Sequence, residues 1–86
     1  MVSDILCRAV LNLLRLLIVL EGHVPMSKHD VRQRLPSTLR DPSMVAAAEI
    51  ALRVHHEDRF STLGEAQHMI FLWCHLRPRL VVHFRS

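Results

Sequence analysis

The chain has 86 residues, which is room for one domain at most and for no separate catalytic domain. Half of the residues are hydrophobic and 22% are charged, a balance that excludes global disorder and favours a packed core. Ten arginines and Lys28 against eight acidic residues leave a net charge of +3, compatible with nucleic acid, anionic lipid or an acidic protein and selective for none. Seven histidines, two glycines and no tyrosine form a bias of the kind left by GC-rich coding or by a viral frame overprinted on another.

The first predicted element is a helix over 4–21, with Ser3 as N-cap, Asp4 favoured by the positive end of the helix dipole, and Gly22 as a left-handed stop. Its interior polar residues, Arg8, Asn12 and Arg15, recur at helical spacing and mark one narrow stripe expected to be the only side that reaches water. Everything else is apolar. Leu6, Val10, Leu13, Leu14, Leu17 and Leu20 therefore form the expected contact face toward a second copy or a protein partner. The competing reading makes this helix the centre of a compact monomer.

A membrane-spanning role is disfavoured by magnitude. Arg8 and Arg15 would each cost roughly 2.5 to 3.5 kcal/mol near the middle of a span, and the uninterrupted apolar run of this helix, 16–20, is only five residues long. An interfacial position remains as a second alternative function. An acidic start instead of a basic one, with no small-residue cleavage site after the apolar run, predicts an intracellular rather than a secreted chain. Two cysteines, Cys7 and Cys74, on different helices and without metal-type spacing point to a reducing compartment, with Cys74 expected in the core.

After the linker 23–26, Ser27 and Asp30 have the spacing of a capping box that opens a short helix over 28–35, which Pro36 is expected to end. Asp41 followed by Pro42 starts the next helix, over 42–56. On it Glu49, Arg53 and Glu57 are expected to form an exposed salt-bridged stripe, opposite Met44, Ala47, Ala48, Ile50, Ala51 and Val54. Thr62 and Glu65 cap a fourth helix over 63–76, stopped by Pro78, on which Ala66, Met69, Ile70, Trp73 and Leu76, with Phe71 and Leu72 widening the stripe, are expected to face the core. The remainder has strand-like composition and is read as an extended tail. The expected fold is thus all-α, a small bundle of three to four helices over 1–79 with an extended tail over 80–86.

Chemistry finds little support. His68 and His75 lie seven residues apart, about 10 Å along a helix, too far to share one zinc ion, and no second Cys/His pair of suitable spacing accompanies them. Adjacent residues Cys74 and His75 point about 100° apart, so they do not form a nucleophile and base pair. Neither glycine sits in a phosphate-cradling loop. No cofactor or metal is called for, and an enzyme is not expected. The residues predict a small accessory protein acting through protein contacts, self-associating through helix 4–21. The first alternative is a helix-turn-helix-like DNA-binding regulator. In either role Arg8, Arg15, Arg32 and Arg34 are the residues expected to meet an acidic partner or nucleic acid.

Overall fold

The computed structural model describes residues 4–85. Four helices pack together: α1 (Ile5–Leu20), α2 (Lys28–Leu39), α3 (Pro42–His56) and α4 (Leu63–Arg85). Each start follows from local side-chain chemistry. Asp4 caps α1, the expected cap Ser3 lying outside the described residues: its Oδ1 accepts from the Cys7 N–H at 3.0 Å, while its Oδ2 accepts from the Ser61 N–H at 2.7 Å and the Ser61 hydroxyl at 2.6 Å. One carboxylate thus ties the first turn of α1 to the loop ahead of α4. Burial pushes that carboxyl's pKa up, but the hydrogen bonds from Ser61 and Cys7 outweigh it and hold the group below its ordinary value.

Gly22, at φ +90°, ends α1 as expected, with its N–H donating to Val19 and that of His23 donating to Ile18 in a Schellman arrangement. Ser27 Oγ accepts from the Asp30 N–H at 3.2 Å, and Asp30 reaches back to the Met26 N–H at 2.9 Å. Asp41 caps α3 through the Ser43 N–H at 2.8 Å, and Pro42 fills the first helical position. Thr62 and Glu65 exchange hydrogen bonds in the expected capping box.

Two helices run past the prolines expected to stop them. α2 continues through Pro36 to Leu39 and ends where Arg40 adopts a left-handed conformation at φ 67°. α4 continues through Pro78 to Arg85, so the extended tail over 80–86 is replaced by helix as far as the described residues reach. The reason is shared. A helical proline leaves the carbonyl four residues earlier without its donor, and here those residues, Arg32 and Cys74, are exposed, as the prolines themselves are. Beyond each proline a leucine is buried, Leu39 at 4% exposure and Leu80 at 7%, which compensates the missing backbone bond.

α1 and α3 each contact all three other helices, whereas α2 and α4 flank them without touching one another. The core is formed by Val10, Leu14 and Ile18 of α1, Val31 and Leu35 of α2, Ala47, Ala48 and Ala51 of α3, and Met69, Leu72 and Leu76 of α4. The alanines let α3 approach closely enough for the Cys7 thiol to donate to the Ala51 carbonyl at 3.0 Å. Every buried side-chain polar atom among the described residues has a partner. None of the helices is long and apolar enough to cross a membrane.

Candidate interaction surfaces

The six α1 residues expected to form a contact face are already engaged within the chain. Val10, Leu14 and Leu17 are buried, and Leu6, Leu13 and Leu20 are half-buried against the same core. The solvent side of α1 carries Arg8, Asn12 and Arg15 as expected, but it also carries Ile5, Leu16 and Val19, so it is wider than the polar stripe alone.

The arginines separate into different settings. Arg8 and Arg15 lie close enough to His55 of α3 to act on it together with Lys28 of α2: burial lowers the pKa of that imidazole, the three cations lower it further, and Asp58 opposes them. Arg32 lines a shallow hollow with Lys28, His29, Leu52 and His56, continuous with a second one that adds Glu49 and Arg53. Arg34 instead contacts His23 Nδ1 at 3.1 Å. Three of the four arginines therefore border one corner where α1, α2 and α3 meet, a corner that also contains carboxylates.

The salt-bridged stripe expected along α3 does not form. Arg53 pairs with Glu65 of α4 at 3.5 Å, and Glu57 pairs with Arg59 at 2.6 Å. Arg59 grips both oxygens of Glu65, at 2.7 and 2.8 Å, and these hydrogen bonds hold the Glu65 carboxyl well below the usual range. The cluster fastens the loop after α3 to the start of α4. Among the described residues no group of three His, Cys, Asp or Glu side chains is placed to hold a metal. Burial, reinforced by Asp4, raises the pKa of the Cys7 thiol, while Cys74 lies exposed rather than in the core.

The surface that periodicity alone did not single out is the outer side of α4. Met69, Leu72, Leu76 and Leu80 face the core, and at 3.6 residues per turn Ile70, Phe71, Cys74, Pro78, Val81 and Val82 fall on the opposite side. Their exposure is substantial: 51% for Ile70, 43% for Phe71, 40% for Val81 and 67% for Val82, with Phe84 beside them at 70%. The apolar residues of α4 were visible in the sequence. Ile70 and Phe71, expected to face the core with Met69, Leu72 and Leu76, turn outward instead, because α4 has apolar residues on two sides and periodicity cannot supply which of them turns inward. Compared with known proteins, the chain matches no family model, no curated protein and no solved structure.

Proposed function

We propose that this chain is a small non-enzymatic accessory protein that works by docking its α4 helix onto a larger partner. The observation that carries the reading is the exposed apolar stripe from Ile70 to Val82, which lies outside the core cluster behind it. Self-association through α1 is a weaker reading, because the side chains it would need are those that hold the bundle together. The DNA-binding reading gains a tighter corner, since only Arg40 and Asp41 separate α2 from α3. It gains few contacts: the exposed positions along α3 are Pro42, Ser43, Ala46, Glu49, Arg53, His55 and His56, which offer phosphates a single arginine beside a glutamate.

The test is hydrodynamic. In extracts of the native cell the chain is expected in particles larger than its own 10.0 kDa. Val82→Asp and Phe71→Asp are expected to release it as free chain with its helical content and melting midpoint unchanged. Free migration of the unaltered chain, or retention of both variants in the larger particle, would refute the proposal.

A further inference from the structure

We infer that the partner of the α4 face is an anionic lipid surface; the inference rests on the docking reading above and adds to it the chemistry of what is docked. The first observation is the distribution of charge. Up to and including Glu65 the chain carries eight basic and eight acidic residues, and after it come Arg77, Arg79 and Arg85 with no acidic residue at all. The net charge of +3 thus equals that of the segment after Glu65, and α4 as a whole, with Glu65 in its first turn, carries +2.

The second observation is where those charges sit. All three arginines are exposed, with Arg77 along one edge of the apolar stripe, Arg79 beyond the other, and Arg85 on its line about one turn past Val82. Side chains this long can keep their stems on hydrocarbon while the guanidinium reaches phosphate or carboxylate headgroups. Phe71 and Phe84 add exposed aromatic area along the stripe. Apolar residues on one side of a helix with cations beside them are the requirements for lying in a bilayer interface.

Shape and charge favour this occupant. Along the second half of α4 the hollow beside the stripe is lined by Trp73, Cys74, Arg77, Pro78, Val81 and Val82, all from the same helix. No second element raises a wall there, so this half of the face is a convex ridge suited to a flat, deformable acceptor; only at Phe71 does α3, through Ser43 and Ala46, border a hollow beside the stripe. A second copy is disfavoured by charge, because pairing two α4 faces would bring six arginines together with no carboxylate after Glu65 to meet them. At about 1.5 Å per residue the 23-residue helix is roughly 34 Å long, close to the 36 Å long axis of the molecule. The folded bundle can therefore lie along a membrane on α4 without opening its core.

The intact chain reports its own binding through its single tryptophan, Trp73, half-buried beside the stripe. With phosphatidylcholine vesicles carrying about one-third phosphatidylserine, the chain is expected to co-sediment and Trp73 emission to shift to the blue. Each arginine near an anionic surface contributes about a fivefold factor, so Arg77→Gln, Arg79→Gln and Arg85→Gln combined should weaken binding about a hundredfold. Val82→Asp and Ile70→Asp should abolish the blue shift while circular dichroism still reports a folded chain. The inference is overturned by failure to sediment with the anionic vesicles, by binding insensitive to the aspartate variants, or by equal competition from soluble polyglutamate, which would indicate an acidic protein instead. Should vesicles fail while Val82→Asp still releases the chain from its cellular particle, the docking face stands and only its lipid partner falls.

Discussion

Replacing Leu14 by alanine separates a central α1 from an α1 that serves as an intermolecular seam. Leu14 is fully buried, and removing a leucine side chain from such a site costs about 2 to 5 kcal/mol in lost transfer energy and residual cavity. An 86-residue domain is stable by roughly 4 to 13 kcal/mol, so the loss is a large fraction of the whole. At about 4 to 8 °C per kcal/mol for a domain of this size, the melting midpoint should fall by roughly 10 to 30 °C. Leu16, two residues along and 39% exposed, is the internal control, and Leu16→Ala should cost about 1 kcal/mol or less. Urea unfolding followed by circular dichroism measures both variants, repeated across about a hundredfold dilution. The reasoning fails if the two variants lose similar stability, because α1 would then not have the inward side described. It fails equally if the midpoint of Leu14→Ala falls with dilution, since the burial of Leu14 would then come from another chain.

Three further outcomes follow from the same packing. A thiol reagent added to the native chain should titrate Cys74 at once and Cys7 only after denaturant, because Cys7 is buried with its thiol pKa raised; two fast thiols would refute the packing of α1 on α3. Pro78→Ala restores a backbone donor within a continuous α4, and should raise the urea midpoint by up to about 3 kcal/mol of stability; a decrease would indicate that the helix ends before Leu80. Glu65 has a folded-state pKa depressed below its ordinary 4.5 by the hydrogen bonds from Arg59, so its contribution is present above about pH 4.5 and is lost as pH falls below it. Glu65→Gln should therefore flatten the acid side of a stability profile measured by urea unfolding, and an unchanged slope below that pH would show that the carboxylate does not hold the α3–α4 loop.

The helix starts were legible because each depends on a few neighbouring side chains. Ser27 with Asp30, Asp41 with Pro42, and Thr62 with Glu65 all make the hydrogen bonds or take the positions that their spacing implies. Helix ends at proline were not legible. Whether a proline stops a helix depends on whether water reaches the freed carbonyl and whether the following turn buries something, and only the fold decides both. The ion pairs moved for a related reason. Spacing of four along α3 favours Glu49, Arg53 and Glu57, but Arg53 pairs instead with Glu65 across the α3–α4 packing, a contact no local pattern contains. On α4 the difficulty was of another kind: with Met69, Leu72, Leu76 and Leu80 on one side and Ile70, Phe71, Val81 and Val82 on the other, periodicity cannot say which side α3's alanines will accept.

The two outer helices provide an internal comparison for what the outer side of α4 means. α2 and α4 occupy equivalent places in the bundle, each packed on α1 and α3 and each with one side left to solvent. On α2 the exposed positions hold Lys28, His29, Arg32, Gln33, Arg34, Pro36 and Ser37, all of which, the proline apart, water solvates readily. The same position in the architecture on α4 holds isoleucine, phenylalanine and valine. Topology therefore does not require an apolar outer side, and the fold behind it is complete without one, since the core leucines of α4 are already covered. Scattered exposed hydrophobics are ordinary on any small protein, but a stripe confined to one of two equivalent helices, on the helix whose last 20 residues hold three arginines and no carboxylate, is not accounted for by packing. It has the composition of a surface that folding leaves uncovered and binding covers.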